Sequence, residues 1–434
     1  MIVDDRMHQR DAGATPYRRI TLVAGMAAYL DGAALVTTGF VVGTLYPEQL
    51  GLSPNEIGLV IGLQTVAVAV GSLIGGRLGD RYGRRRGLIW ALLAFVIGLG
   101  MCAQAQDSTM LLAGVIIGGL AIGADLPVSL AMIQEAAPPG RKARMVTAAS
   151  LMWLGGVVAA LVMGVLVAPQ GAWGGRLAFG YLAVVAFLVL LFRLTLPESA
   201  EWQEARERAT DAAQQAALAR AQVGPSLFWQ PAILKVAVAT GAYYTLWSIG
   251  GNTLGQYGAF MWVHLTGSDT QTYLLLATLF LPVTVTCVAV FMRYADSRSR
   301  HRWFVVCSVI SVGAWLLPVV AGFSLPFFVT YGVLLGIASA ATGDTIFRIW
   351  SQELVPTLQR STVQGITTAV ARITSGAFAI VTPALILGAP RLLFGLVALL
   401  GAVAALIGAV WISPAARAAV TDTQATSDSE LVIP

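Results

Sequence analysis

Five charged residues sit where the surrounding sequence is otherwise apolar: Asp31, Asp125, Asp344, Arg348 and Arg372. A lone charge at the centre of a membrane helix costs at least about 2.5–3.5 kcal/mol, so each needs a partner or a task. Asp344 and Arg348 are spaced i,i+4, which puts them on one helix face, where they can pair structurally or serve a ligand. Three acids against two bases leave one carboxylate without a fixed cation. Burial disfavours a charged carboxyl, and such a group can take up a proton near neutral pH and release it when hydrated. Asp31, and after it Asp125, are the carboxylates expected to do this. The alternative is that Arg372 neutralises either one in a static network.

Uncharged groups offer a different chemistry. Ser248-Ile-Gly-Gly-Asn252-Thr-Leu-Gly-Gln256-Tyr-Gly258 carries four glycines in eleven residues, which predicts a break or kink in mid-segment. Asn252 and Gln256 are i,i+4, so their amides can present donors and acceptors to hydroxyls. Tyr243 and Trp247, one turn apart, could stack on the apolar side of a sugar ring. Gln64, Trp153, Trp350 and Gln364 are further polar or aromatic groups for such a site. Each of these could equally serve to pack helix on helix. No phosphate loop, zinc-ligand spacing or nucleophile elbow occurs in a sensible place, so the sequence predicts no enzyme, no metal and no organic cofactor. The proton would be the coupling ion.

What must position these residues is a set of long apolar helices. The 434 residues are 57% hydrophobic and 11% charged. A soluble domain carries about 25% charged residues, so lipid must surround much of this surface. A helix needs about 20 apolar residues to cross the hydrocarbon. Twelve segments qualify: 20–45, 57–76, 87–105, 110–136, 145–168, 177–195, 232–263, 271–293, 303–322, 327–353, 362–388 and 392–412. Cys102, Cys287 and Cys307 fall inside them and read as core thiols. The first apolar run is too long for a cleavable signal and reads as a retained span.

Basic residues set the expected orientation. With the N-terminus inside, 23 of the 27 Lys and Arg fall on the inner side, the positive-inside signature. The net charge of +5 is thereby explained without nucleic acid. Trp173, Trp229, Trp262, Trp303 and Trp411 lie near span ends and read as interface anchors. The expected organisation is a cytoplasmic leader (1–19), a six-helix bundle (20–195), a partly helical linker (196–231), a second six-helix bundle (232–412) and a disordered tail (413–434).

The halves repeat. Arg77-Leu-Gly-Asp80-Arg-Tyr-Gly-Arg84-Arg-Arg86 is echoed by Arg293-Tyr-Ala-Asp296-Ser-Arg-Ser-Arg300-His-Arg302, displaced by 216. Glu135-Ala-Ala-Pro138 is echoed by Glu353-Leu-Val-Pro356, displaced by 218, and each is followed by basic residues, Arg141-Lys142 and Arg360. Two parallel six-helix halves suit a rocking carrier.

Gly76-Arg-Leu-Gly-Asp80-Arg81-Tyr-Gly83-Arg84-Arg85 closely resembles the loop 2–3 signature of the major facilitator superfamily. Its glycines permit tight backbone approach. The resemblance implies an all-α membrane fold of twelve helices in two pseudo-symmetric bundles. It also implies an inter-half latch, with Gly76, Asp80, Arg81, Gly83, Arg84, Glu135 and Arg141 in one half and Asp296, Arg300, Glu353 and Arg360 in the other. The alternative is a basic loop that only fixes topology.

Leu196-Pro-Glu-Ser-Ala-Glu-Trp202 resembles the sugar-porter signature, departing at Glu201 where arginine is usual. With Gly123-Ala-Asp125-Leu-Pro127, Tyr29-Leu-Asp31-Gly32 and Trp350-Ser-Gln-Glu353-Leu-Val-Pro356-Thr, the chain looks most like a bacterial inositol-transporter branch. Ala113 stands about where many relatives place an arginine. Span 5 lacks the Gly-Pro-rich element of drug–proton antiporters, which favours uptake over export. The resemblance implies a monomeric proton symporter of the bacterial inner membrane, with both termini cytoplasmic. It would take up a small neutral polyol or monosaccharide by alternating access. The rivals are an organic-acid symporter gripping its substrate with Arg348 or Arg372, a metabolite or drug exporter, and a non-transporting sensor. Bridging of both arginines to aspartates would favour the neutral substrate.

Overall fold

The computed structural model describes residues 17–136, 142–199, 203, 231–294, 297, 299–354 and 360–414. Most of the expected linker and nearly all of the expected tail lie outside the described residues. The first half contains α1 (Tyr17–Phe40), α2 (Pro54–Tyr82), α3 (Arg84–Ala103), α4 (Ser108–Ala136), α5 (Lys142–Val167) and α6 (Ala172–Leu194). The second contains α7 (Pro231–Thr266), α8 (Thr270–Met292), α9 (Arg300–Ala321), the pair α10a (Leu325–Ala338) and α10b (Asp344–Leu354), α11 (Arg360–Gly388) and α12 (Pro390–Leu406). This is the expected all-α, twelve-span architecture.

Local chemistry fixes the ends. Ser53 caps α2 in a reciprocal box with Glu56, with Pro54 at the first helical position. Asp269 caps α8 by accepting the Thr272 N–H. Gly83 alone joins α2 to α3, at φ +103°, a backbone that L side chains rarely adopt. Many large apolar side chains face outward, Val320 at 86% and Trp90 at 68% accessibility among them. Ten described helices are long and apolar enough to cross a membrane. The other two spans, α7 and α10, are less apolar or interrupted because they carry polar groups and a break.

The break falls in α10, not in α7 as the glycines suggested. α7 runs unbroken for 36 residues. Its glycines serve packing instead: Gly250 lies against Val397 and Trp315, and Gly258 against the Tyr273 hydroxyl. In α10 the helix stops at Ala338, and Gly343 takes φ +68°. The Gly343 N–H donates to the Tyr243 hydroxyl at 2.8 Å, which replaces its lost helical acceptor. Asp344 then opens α10b, where a negative charge suits the helix N-terminus.

Within the first half α2 packs on α4, α3 on α4 and α6, and α1 on α5. Within the second, α7 packs on α11 and α12, and α9 on α10a and α12. The halves meet chiefly along three helix pairs: α2 with α11, α1 with α7, and α5 with α8. The α2–α11 seam is close, with Gly58 and Gly62 against the backbone of Gly376 and Ile380. Along α1–α7, Gly39 meets Gln256 and Gly43 meets Phe260. Along α5–α8, Gly164 meets Leu274. These contacts all lie at the end away from Gly83 and Arg300.

Candidate functional site

Asp31 lies in mid-α1 with its side chain 10% accessible. The Trp153 indole donates to its Oδ2 at 3.1 Å. Arg372 of α11 places Nη2 3.7 Å from the same oxygen, an ion pair across the two halves. That separation exceeds hydrogen-bond range. Arg372 is held by charge alone and is 30% accessible.

The second pair lies at the α10 break. Arg348 Nε donates to Asp344 Oδ2 at 2.6 Å, and both side chains remain well exposed, at 55% and 43%. α11 runs along α7, with the Ser375 hydroxyl bonded to that of Ser248 at 2.9 Å and Thr367 against Gly241, which sets Arg372 level with Tyr244 of α7. Its ring stacks on Phe347 with centroids 4.2 Å apart and on Trp247 at 6.2 Å. Asp31, Arg372, Tyr244, Asp344 and Arg348 thus form one constellation, with two acids balancing two bases.

Asp125 does something else. Its carboxylate accepts from Arg193, with side chains 1% and 0% accessible. Arg193 also donates to the Leu88 carbonyl and to Ser129. Arg193, read from sequence as one more inner basic residue, is therefore an intramembrane partner. The expected surplus carboxylate disappears: each of the three acids has an arginine. Charge counting missed it because Arg193 sits at a span end, where basic residues ordinarily mark topology.

The expected amide pair is divided between packing and seam. Asn252, half-buried, donates to the Ser248 carbonyl of its own helix at 2.8 Å. Gln256 donates to Thr65 across the halves at 2.7 Å, while its Oε1 is buried without a partner. Gln64 donates to Thr38 at 2.9 Å, and its Oε1 is likewise buried and unpaired. Tyr243 and Trp350 are buried at 1% each and pack edge-to-face with each other and with Phe304. They belong to the core of the second half, which leaves the Tyr243 ring no open face, while the neighbouring Tyr244 stacks on Phe347 and Trp247. Trp247 is half-buried against Gly251 and Gly343. Beside it, a cavity of about 170 Å³ opens between α7, α9, α10a and α12, lined by Trp247, Trp315, Ser339 and Thr342, with no charged residue among those that line it.

Two pairs of latch residues each fall within one half. Arg84 donates to Glu135 at 3.0 Å and Arg300 forks onto both Glu353 oxygens at 2.6 and 2.9 Å. Each ties the loop after its half's second span to the end of that half's fourth. The inter-half contact that the loop 2–3 resemblance implies is not among these pairs, and the two pairs stand at matching positions of the internal repeat. Arg81 lies 5.4 Å from the Tyr82 ring. Arg141 and Asp296 lie outside the described residues, as do the placements of Gly76, Asp80, Arg360 and Gln364 within their helices. Glu198 of the Leu-Pro-Glu-Ser motif accepts the Arg85 N–H at 3.0 Å, a carboxylate on the N-terminus of α3. Arg85 in turn donates to the Leu194 carbonyl.

Two six-helix halves joined around a charged, partly accessible constellation define a membrane transporter. Over residues 21–293 the sequence matches the Major Facilitator Superfamily, and the chain belongs to that family. It is similar to the minor myo-inositol transporter IolF of Bacillus subtilis (strain 168), 28% identical over 364 residues, covering 83% of this chain and 82% of that protein. It is also similar to the putative niacin/nicotinamide transporter NiaP of the same organism, 26% identical over 366 residues, covering 82% and 85%. Among solved structures it shares the fold of a D-xylose–proton symporter, with a TM-score of 0.73 at 19% identity over 92% of this chain and 98% of that one. The chain is a multi-pass transporter and not an enzyme.

Proposed function

We propose that this transporter is a proton-coupled symporter that takes up a small neutral polyol or monosaccharide across a bacterial inner membrane. The observation that carries the reading is the pairing of both arginines of the constellation, Arg348 and Arg372, with aspartates. A carboxylate substrate would need a cation free of such a partner, whereas hydroxyls can accept from guanidinium and donate to carboxylate at once. The likeness to a myo-inositol transporter agrees with this choice. The organic-acid alternative draws on the likeness to a niacin/nicotinamide transporter.

Asp31 is the coupling carboxylate in this reading. Its ion pair is long and reaches an accessible arginine, whereas Asp125 is sealed against Arg193. With the termini inside, the seam contacts close the outer end, and the site opens to the cytoplasm. Purified protein in liposomes, loaded for counterflow and then given a pH gradient, tests the proposal. myo-Inositol accumulation that follows the gradient and is lost in Asp31→Asn supports it. Accumulation of nicotinate in place of myo-inositol would favour the organic-acid reading.

A further inference from the structure

Arg372 is the group that spans the two halves. It lies on α11, yet its carboxylate partner within ion-pair distance is Asp31 on α1, at 3.7 Å. Asp31 already accepts a hydrogen bond from Trp153 on that same oxygen. On its other side, Arg372 is level with Tyr244 along the α7–α11 packing, where Ser248 bonds to Ser375 at 2.9 Å and Gly241 lies against Thr367, and Tyr244 stacks on Phe347 of the helix that carries Asp344 and Arg348. Stacking on Phe347 fixes the Tyr244 ring, so this second position is preformed. A guanidinium does not give up its proton in proteins; it can only change partner.

We propose that Arg372 couples proton to substrate by exchanging partners, from Asp31 of the first half to Tyr244 and Asp344 of the second. The inference rests on the proton-symport reading with Asp31 as the coupling group. When Asp31 is ionised, its charge draws Arg372 across the seam. When Asp31 takes a proton, that attraction falls away, and Asp344 becomes the carboxylate that holds Arg372. The freed guanidinium then adds its N–H donors to the Asp344–Arg348 site. A hydroxylated substrate meets the complete donor set only after protonation. Proton and substrate thus favour one another, and the coupling is reciprocal.

Other groups do not substitute for this exchange. On the elements packed around Asp31, the charged or titratable groups include Tyr29 of α1, bonded to Tyr181 of α6, and Asp125 of α4, closed by Arg193. Tyr244 of α7 and Arg372 of α11 face the seam among the described side chains. The first half supplies Asp31 with no arginine of its own among the described side chains, consistent with Ala113 on α4. The cation that answers the proton therefore belongs to the half that carries the Asp344–Arg348 pair.

The test uses full-length protein in liposomes with tritiated myo-inositol as probe, comparing wild type, Arg372→Gln, Arg372→Lys, Asp344→Asn and Asp31→Asn. The readouts are the ratio of pH-driven accumulation to counterflow, and the pH dependence of half-saturation. In Arg372→Gln the ratio should fall at least about fivefold, the lower end of coupling between sites, and the pH dependence should flatten. Asp344→Asn should flatten the same profile, and Arg372→Lys should restore part of it. An Arg372→Gln protein with the wild-type ratio and pH profile overturns the exchange. Loss of all counterflow in both Arg372 variants, with folded protein, also overturns it, because Arg372 would then be a fixed binding or structural group. If Asp31→Asn still accumulates substrate, the symport reading itself fails. If Asp31→Asn loses accumulation while Arg372→Gln keeps it, only the exchange fails.

Discussion

Asp125 and Asp344 occupy matching places in the two halves, 219 residues apart where the neighbouring repeat runs at 218. Each follows a glycine closely on its half's fourth span. Their fates differ. Asp125 sits in an unbroken α4 and is sealed with Arg193 between α3, α4 and α6. Asp344 opens α10b after a break and stays exposed beside Arg348. One repeat seals its acid inside a bundle, and the other leaves its acid accessible. Pseudo-symmetry of sequence therefore does not imply symmetry of role.

The largest way to break this comparison is to remove the sealed cation. Arg193→Met should cost about 3–5 kcal/mol by leaving a buried carboxylate unpaired, read as a lowered melting temperature or lost yield in detergent. Asp125→Leu together with Arg193→Met should recover most of that stability. Asp344→Asn, by contrast, should cost less than about 1 kcal/mol, as accessible pairs do, yet impair uptake. Equal destabilisation by Arg193→Met and Asp344→Asn would erase the distinction.

Next comes the clamp that the halves share. Glu353→Gln should lower stability by about 1.5–3 kcal/mol, the range for hydrogen bonds to charged groups. Glu135→Gln should cost less, since Arg84 reaches a single oxygen and Glu135 Oε2 is buried without a partner. Thermal denaturation of the two variants orders the clamps. The break itself is tested by Gly343→Ala. It should cost about 1–2 kcal/mol for the left-handed backbone, with further strain against Trp247, and should slow transport.

A third acid, outside the spans, supplies a surface reference. The Thr272 N–H and hydroxyl hold the Asp269 carboxyl below the usual carboxylate range. Its stabilisation is complete above the unfolded-chain value of about 3.9 and is lost as pH falls through the lower folded value. Asp269→Ala should cost about 1 kcal/mol as a lost helix cap near neutral pH. The difference from wild type should close in strong acid.

Much of the architecture was legible because apolar runs and basic loops are written locally. The clamps were half legible: Arg84 with Glu135 and Arg300 with Glu353 stand out as a repeat, but spacing does not say which half a side chain faces. Arg193 was hidden by its position at a span end, and its burial depends on α3 and α4 closing over it. The α10 break was hidden because one glycine among small residues weakens an apolar run very little, whereas the four glycines of α7 drew the eye. Tyr243 and Tyr244 differ by about 100° of helix rotation, which separates the buried core from the charged constellation and lies inside the error of placing a helix face from sequence.

Proton movement during uptake tests the central claim most directly. Liposomes carrying the full-length protein and a trapped pH dye are given myo-inositol with no imposed gradient. The account predicts internal acidification that accompanies myo-inositol entry, and none in Asp31→Asn. Entry of myo-inositol without acidification, or acidification unchanged in Asp31→Asn, would contradict it.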